Sequence, residues 1–401
     1  MNTQRIKQGA LRFCKISLLG VVIAQPFSKA LVEVFISASF IGWLFFKILK
    51  KESICNDRLL LGLLCLFLVS SSVSVFSSGY PVTALRGVLK LLKYLTLLLL
   101  VAEVARDPIW FRRLIIVGVA VFCTILFDAY FQGIYKIDFI RHFPAQATDT
   151  QTRLSGPFNT YGLLAAYLIA ILPVLIAFLT FNKGPLSVKS FLFTGITFAA
   201  LYILYKTHSR GAWLSFFGSL CCLTYFLRSR LLAILLLIGV ISVPFVFPKN
   251  TLIHLDKQGK EQSLIERYQL WNRAIQVIVA KPLFGCGINT YVRNYPKFDR
   301  ARNWRVPGYY AHNGYLQLAA ETGLISLALF LLILGIALKA GWQAFKNETG
   351  GQKALVAGFL TGCIALLSQA AVDTTLHNLQ SAVLIWFYLG LLLAFGNRGT
   401  P

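Results

Sequence analysis

An imidazole and an amide stand side by side where one of the last apolar runs of the sequence begins. They are His312 and Asn313. An imidazole changes its protonation near neutral pH, which suits it to accept a proton as a general base. Asn is also a preferred N-cap residue, so a purely structural role at a helix start is the alternative for this pair.

Arginine is well suited to hold a phosphate group, because its guanidinium presents a planar fork of donors and keeps its charge. Arg210 lies in the sequence Thr-His-Ser-Arg-Gly-Ala-Trp at the start of an apolar run. Gly211, next to it, would let a ligand come close to the backbone. The alternative is an interfacial arginine that reaches for lipid headgroups. We take Arg210 as a candidate phosphate-binding residue, and His208 as an accessory candidate.

Two further arginines lie on a predicted helix over residues 263–280. Arg267 and Arg273 are six residues apart, which places them on different faces of a helix, so we expect only one of them to face a site. The alternative is that both are solvated charges on an amphipathic helix whose Tyr268 and Trp271 meet lipid headgroups.

A carboxylate and a second imidazole lie between the last two apolar runs, in the sequence Ala-Val-Asp-Thr-Thr-Leu-His. They are Asp373 and His377. A carboxylate at such a position could cap a helix end, orient an imidazole or pair with an arginine. The sequence leaves these three roles of Asp373 open.

Three cations lie inside an apolar run near residue 90. Arg86, Lys90 and Lys93 are spaced by four and three residues, which places them on one helix face. Ionisable side chains within a membrane helix usually face a cavity or the bundle interior. This face could bind an anionic lipid headgroup. Alternatively, the helix begins later and Arg86 is merely interfacial.

The elements that must position these side chains are membrane helices. Of the 401 residues, 57% are hydrophobic and only 13% are charged, far from the composition of a soluble domain. A helix needs roughly 20 apolar residues to span a bilayer. We therefore predict an all-α polytopic membrane protein. Its first two apolar runs are either two separate helices or one helix that is broken around Pro26. About twelve apolar runs are present, at 12–27, 31–48, 59–76, 84–105, 109–131, 157–181, 190–206, 211–227, 231–248, 314–338, 354–372 and 379–396.

The charge distribution predicts the orientation of these helices. With the N-terminus in the cytoplasm, the inner loops carry nineteen Lys and Arg and the short outer loops carry six, as the positive-inside rule requires. Both termini are then cytoplasmic. The predicted organisation is helices 1 to 9 over 1–248, one large periplasmic loop with short helices over 249–311, and helices 10 to 12 over 312–401. The loop has a net charge of +7, which would attract an anionic substrate.

Several classes of function are excluded by this pattern. The net charge of +24 reflects the inner loops and the long outer loop, and no signature of a nucleic-acid fold accompanies it, so no nucleic-acid partner is predicted. Walker A, HExxH, GxSxG and GxGxxG contexts are missing from the sequence. The eight cysteines form no CxxC pair or readable disulfide framework. We therefore expect neither a metal nor another cofactor.

The predicted topology brings the unusual polar residues to one membrane surface. These residues are distant in sequence, yet all of them fall on the outer side. They are His208, Arg210, the loop residues Arg267 and Arg273, His312 and Asp373. This common side is a stronger indication of a site than any one of these residues.

Three motifs resemble the O-antigen ligase and polymerase superfamily. The first is His312-Asn313 followed by Gly323, the second is Ser-Arg-Gly-Ala-Trp at 209–213, and the third is Lys-Pro-Leu-Phe-Gly-x-Gly at 281–287. About twelve helices with one large loop before the His-bearing helix also resemble its architecture. The resemblance implies a metal-independent glycosyltransferase of the bacterial inner membrane that takes a glycan from undecaprenyl diphosphate. As an O-antigen ligase, it would join the glycan to lipid A-core in lipopolysaccharide biosynthesis.

The same resemblance implies roles for individual residues. Arg210 and Arg267 would hold the diphosphate, His312 would act as the base, and Asp373 would be a supporting residue. An O-antigen polymerase and an O-linked protein oligosaccharyltransferase share these motifs. A transporter is the alternative from another class, but no internal repeat is visible and the polar residues gather at the outer surface rather than at mid-membrane.

Overall fold

A computed structural model describes residues 3–55, 57–147, 152–181, 188–246, 262–297 and 310–396. These residues are predominantly α-helical. Two segments of the predicted outer loop, 249–261 and 298–309, lie outside the described residues. So do Asp256, Glu261 and Asp299, three of the four acids counted in its net charge.

Helices account for most of the described residues, and a small β-ribbon and a 3-10 turn lie between them. Residues Gln146–Ala147 (β1) and Thr152–Arg153 (β2) pair as a small antiparallel ribbon, and Tyr295–Lys297 forms a 3-10 turn. The helices are α1 Thr3–Ala24, α2 Lys29–Lys50, α3 Arg58–Val73, α4 Pro81–Val104, α5 Pro108–Tyr135, α6 Tyr161–Phe181, α7 Val188–Lys206, α8 Arg210–Leu227, α9 Arg230–Val246, α10 Gln262–Ala280, α11 Tyr291–Asn294, α12 Gly314–Asn347, α13 Gly350–Ala370 and α14 Leu379–Gly396.

Each predicted apolar run coincides with one helix, from α1 to α9 and from α12 to α14. The alternative of a single first helix broken at Pro26 is wrong. Helix α1 ends at Ala24, and α2, from Lys29, folds back against it, so that a Cβ on Gly42 would lie 3.1 Å from the Ala10 carbonyl oxygen. Ser28 caps α2, accepting a hydrogen bond at Oγ from the Leu31 N–H at 3.3 Å. The predicted helix over 263–280 is present as α10.

The protein is an all-α, multi-pass membrane protein. Within the described residues, six helices have the length and composition to cross a bilayer: α2, α5, α6, α12, α13 and α14. Shorter apolar helices cover 58–73, 190–206 and 230–241. Helices that are apolar on every side are buried within such a bundle, and α13 and α14 are the most completely enclosed of the six.

Close packing of backbones brings α6 and α13 together at the centre of the bundle. A Cβ at Gly362 would collide with the Ala170 carbonyl oxygen, and one at Gly358 would lie 2.5 Å from the Val174 Cα. Small residues allow such contacts between membrane helices, where dispersion and polar contacts replace the hydrophobic effect. The Tyr388 hydroxyl donates to the same Ala170 carbonyl at 3.0 Å, which adds α14 to the pair.

Helix α12 is interrupted at Gly323, and the segment after α10 fills the break. Gly323 has a φ of 84°, so its backbone leaves the helical path. The Leu324 N–H donates to the Pro282 carbonyl at 2.8 Å, and the Cys286 N–H donates to the Ala320 carbonyl at 2.9 Å. A Cβ at Gly323 would collide with the Leu283 carbonyl. Gly323 of the first motif therefore packs directly against the backbone of the third motif, at residues 282–284.

The ends of several helices converge around the start of α12. The Gly314 N–H donates to the Asp373 carbonyl at 3.1 Å, which joins α12 to the turn between α13 and α14. The Trp271 indole donates to the His312 carbonyl at 3.3 Å, which joins α10 to the same point. Ser215 of α8 donates to the Gln369 side chain of α13 at 3.2 Å. These contacts assemble the candidate site.

Candidate active site

An imidazole–carboxylate pair lies at the centre of this convergence. His312 Nδ1 is 3.5 Å from Asp373 Oδ1, and both side chains are about one-third exposed. The Asp373 carboxylate also accepts from the Thr374 N–H at 2.7 Å and, more weakly, from the Gln369 amide at 3.4 Å. The carboxylate is thereby held in place while the imidazole stays partly exposed to solvent.

The ionisation of Asp373 is set by these neighbours. Burial alone would raise the pKa of its carboxyl. The hydrogen bonds from His312 and from the Thr374 backbone outweigh burial, so the pKa of Asp373 lies below its usual value. The charge of Arg267 acts in the same direction. Asp373 is therefore a carboxylate at neutral pH, able to hold an imidazolium beside it.

His312 is held in an unusual backbone conformation by its neighbours. Its φ is 47°, in the left-handed region that a non-glycine residue adopts at a cost of about 1–2 kcal/mol. Asn313 is the N-cap of α12 and accepts at Oδ1 from the Tyr315 and Leu316 N–H groups at 3.1 and 3.0 Å. The cap and the Trp271 hydrogen bond hold the backbone at His312 and at the start of α12.

The two arginines of α10 face different ways, as their spacing predicts. Arg267 is partly exposed and close enough to Asp373 to affect its ionisation. Arg273 is 9% exposed, and its guanidinium carbon lies 5.9 Å from the centre of the Tyr295 ring. Arg267 is therefore the arginine of α10 that the fold brings to the His312–Asp373 pair. Arg273 packs α10 against the 3-10 turn.

Arg210 is the first residue of α8. A Cβ on Gly211 would lie 3.2 Å from Val372 Cγ2 and 3.4 Å from Gln369 Oε1. Gly211 therefore serves the close packing of α8 against the end of α13, rather than the approach of a ligand that the sequence led us to expect. This packing brings the α8 N-terminus to the helix end that bears Asp373.

His208 precedes α8 in the tight turn after α7. Its φ is 49°, and its Nδ1 is buried without a hydrogen-bond partner among the described residues. Burial lowers the pKa of His208, and the positive charges of Arg153 and Lys206 lower it further. A neutral imidazole surrounded by cations is the result. Arg153, on β2, is a neighbour that the sequence interpretation did not single out.

The three cations of α4 do not share one environment. The helix begins at Pro81, so the alternative of a later start is wrong. Arg86 is exposed, whereas Lys93 forms an ion pair with Glu33 of α2 at 2.9 Å. Lys90 instead donates to the His377 carbonyl at 2.5 Å. Only Lys90 reaches the turn that carries Asp373.

Behind the pair lies a buried polar network around a cavity of about 80 Å³. Gln317 donates to His377 Nδ1 at 3.0 Å and to Glu321 Oε1 at 3.3 Å. Glu321 also accepts from the Asn289 N–H at 2.7 Å. Burial lowers the pKa of His377 to about 3, with the charge of Lys90 as a further cause. The neutral His377 acts as an acceptor that anchors the turn after α13.

The described residues show no cluster of metal ligands and no disulfide bond. Among them, no group of three or more His, Cys, Asp or Glu side chains lies close enough to hold a metal ion. All eight cysteines are free thiols. Burial raises the pKa of Cys286, beside the site, to about 12, which makes it a poor nucleophile at neutral pH.

Part of the chain that forms this site is similar to a known protein family. Residues 193–331 match the model of the family described as O-Antigen ligase. The resemblance noted in the sequence is confirmed. The matched segment runs from α7 into α12 and so includes Arg210, Arg267 and His312, whereas Asp373 lies beyond it.

One curated relative of the chain carries the name of a polysaccharide protein. The "Exopolysaccharide production protein ExoQ" of Rhizobium meliloti (strain 1021) is 27% identical over 164 residues. That similarity covers 38% of this chain and 37% of the relative, so the chain matches well under half of the relative's length. Together with the O-antigen ligase match, it supports a function of the polysaccharide ligase or polymerase type.

Proposed function

We propose that this protein is an O-antigen ligase. It transfers a polysaccharide from undecaprenyl diphosphate to a sugar hydroxyl of lipid A-core, at the periplasmic face of the bacterial inner membrane. The observation that carries the proposal is the His312–Asp373 pair, at 3.5 Å, flanked by the N-terminus of α8 and by Arg267. The family match of the segment that supplies the histidine and both arginines supports it.

His312 is the general base in this proposal. Because Nδ1 faces Asp373, Nε2 is the ring nitrogen that takes the proton from the acceptor hydroxyl. The hydroxyl oxygen then attacks the anomeric carbon, and the bond from that carbon to the diphosphate oxygen breaks. Asp373 stabilises the imidazolium that forms, as a carboxylate does in a catalytic triad. A direct displacement inverts the anomeric centre, so retained configuration in the product, measured by NMR, would contradict this step.

Arg210 and Arg267 stabilise the leaving group. The diphosphate gains negative charge as the glycosidic bond breaks, and cations placed in advance lower the energy of that charge without reorganising. Arg210 opens α8, where the exposed N–H groups of a helix start add partial positive charge. These two side chains supply the charge that a metal ion would otherwise provide, so we propose a metal-independent reaction.

The first test is a lipopolysaccharide gel of a strain that lacks the gene. Wild type or His312→Ala is supplied back. A ligase leaves bare core, with lipid-linked polymer accumulating, in the deletion and in the His312→Ala strain. If His312→Ala restores the full ladder of bands, the proposed base is wrong.

A polymerase is the second candidate, and the similarity to an exopolysaccharide production protein favours it. A polymerase joins one lipid-linked glycan to another and needs no lipid A-core. Purified protein supplied with the lipid-linked glycan alone would then lengthen it. A ligase leaves that donor unchanged until lipid A-core is added.

A further inference from the structure

We propose that Arg153 is a third arginine of the anion site and contacts the diphosphate of the lipid-linked donor. The inference deepens the proposed function and rests on it. Arg153 lies outside the segment matched to the O-antigen ligase family, on the ribbon between α5 and α6.

The ribbon is docked onto the turn that leads to Arg210. Leu154, directly after Arg153, donates its backbone N–H to the Lys206 carbonyl at 3.1 Å. Lys206 is the last residue of α7, and Arg210 begins α8 after a turn of three residues. The charge of Arg153 also contributes to the lowered pKa of His208 within that turn. Arg153 therefore lies beside the start of α8.

The guanidinium of Arg153 is held at the start of α6. Its carbon atom lies 4.7 Å from the centre of the Tyr161 ring, within the range of a cation–π contact. The next residue, Gly162, faces the Asp373 carboxylate, since a Cβ there would lie 3.6 Å from Oδ2. The first residue of α6 thus contacts Arg153, and the second residue approaches the carboxylate of the candidate pair.

The hydrogen-bonding capacity of Arg153 is not fully used by the described residues. Its Nε is buried and has no hydrogen-bond partner among the described residues. Neither Arg153 nor Lys206 forms an ion pair with a carboxylate in the described ranges. A buried guanidinium nitrogen without an acceptor is costly, and an oxygen of a bound anion would remove that cost.

A diphosphate has the chemistry that fits such a group. A guanidinium binds two phosphate oxygens in a forked geometry, which an ammonium cannot reproduce. Arg153 and Arg210 would then hold the anion from the α6 and α8 sides, with Arg267 on the α10 side. The competing role is structural, in which Arg153 only fastens the ribbon to Tyr161.

Binding measurements on the purified full-length protein in phosphatidylcholine nanodiscs separate the two roles. The probes are geranylgeranyl diphosphate, the uncharged geranylgeraniol, and inorganic pyrophosphate. The variants are Arg153→Gln and Arg153→Lys. Lys136→Gln, which removes one exposed cation from the same outer segment, is the matched control. Thermal unfolding of each variant checks that it is folded.

We expect Arg153→Gln to weaken binding of both diphosphate probes about 10- to 100-fold, the size of a lost charged hydrogen bond. Geranylgeraniol binding and the Lys136→Gln control should stay at wild-type values. Arg153→Lys keeps the charge but loses the fork, so it should give an intermediate loss. Unchanged diphosphate binding in Arg153→Gln, with or without lower stability, would overturn the inference in favour of the structural role.

Two further outcomes separate this inference from the proposed function. If Arg153→Gln weakens only the binding of phosphatidylglycerol, in discs that contain it, Arg153 contacts lipid headgroups and the inference is wrong. If wild type binds the diphosphate through Arg153 but transfers no glycan, the inference holds and the proposed reaction fails. If transfer proceeds and Arg153→Gln has the wild-type KM for the donor, only the inference fails.

Discussion

At the scale of single residues, the site combines one acid–base pair with several cations around it. Asp373 is kept ionised by its hydrogen bonds, although burial opposes this. His377, four residues later, is kept neutral by burial. Two side chains of one turn are thus held in different charge states by their surroundings, one ionised and one neutral. Each state has a measurable consequence.

Replacing the carboxylate tests its role beside the imidazole. We expect Asp373→Asn to lower kcat by about 10²–10⁴-fold with a nearly unchanged KM for the donor, because an amide cannot stabilise an imidazolium. Initial rates of glycan transfer at varied donor concentration measure both constants. Glu348→Gln, the same kind of change at the far end of α12, is the control. An Asp373→Asn enzyme with the kcat of wild type would remove Asp373 from the mechanism.

His377 makes the stability of the fold depend on pH. Its pKa is about 3 in the folded protein against an ordinary value of 6.5, so between these values the unfolded chain binds a proton that the folded chain does not. The contribution of the neutral His377 to the free energy of unfolding is fully present above pH 6.5. It is lost as the pH falls toward 3, and it amounts to at most about 5 kcal/mol. Thermal unfolding of wild type and His377→Gln across this range measures it. The variant should lose less stability on acidification, and parallel curves would contradict the assignment.

At the scale of elements, the decisive feature is the broken helix α12. The segment at 281–288 enters the break at Gly323 and uses backbone groups that a continuous helix would have paired internally. This arrangement places Glu321 where it accepts a hydrogen bond from the Asn289 N–H, and both residues line the buried cavity. The glycine motifs on the two segments are therefore one structural device.

Gly323→Ala tests this device. A Cβ there would collide with the Leu283 carbonyl, at a φ of 84°. We expect a loss of more than about 2 kcal/mol of stability, together with most of the activity, since both overpacking and backbone strain contribute. Gly335→Ala is the matched control, because a Cβ at that position of α12 meets nothing within 4 Å. Melting temperatures and transfer rates of the two variants should diverge, and equal values would show that the break tolerates a side chain.

At the scale of the whole molecule, the polar groups divide between the two ends of the bundle. The candidate site lies at one end. Two ion pairs lie toward the other end, with Lys15–Asp107 at 2.9 Å and Lys47–Glu103 at 3.0 Å. Apolar side chains are exposed on the surface between the two polar ends, where they can contact lipid. Leu66, Ile116 and Leu237 are among them. A bilayer around this belt leaves the two polar ends in different compartments.

The proposed orientation can be measured by labelling single cysteines. In a background without native cysteines, Lys136→Cys should react with a membrane-impermeant maleimide in intact spheroplasts. Lys51→Cys should react only after permeabilisation. Both residues end a helix and are exposed, at the site end and at the ion-pair end respectively. The reverse pattern would place the site in the cytoplasm and exclude a periplasmic ligase.

The sequence by itself determined the helices and the kinds of residue at the site. Apolar runs of membrane length leave little choice but helix, because backbone groups within lipid must be satisfied internally. The six-residue spacing of Arg267 and Arg273 likewise implied that they diverge, because helical geometry is local. The resemblance of the short motifs to the O-antigen ligase family also lay in the sequence alone.

Only the tertiary structure decided which of these residues meet. Contacts between helices that are distant in the chain decide three features. They are the pairing of His312 with Asp373, the packing role of Gly211, and the separate surroundings of Arg86, Lys90 and Lys93. Arg153 carried no signal in the sequence, where it was one cation of a short loop. Its place beside the site follows from the ribbon docking onto the end of α7, a long-range contact that no local pattern encodes.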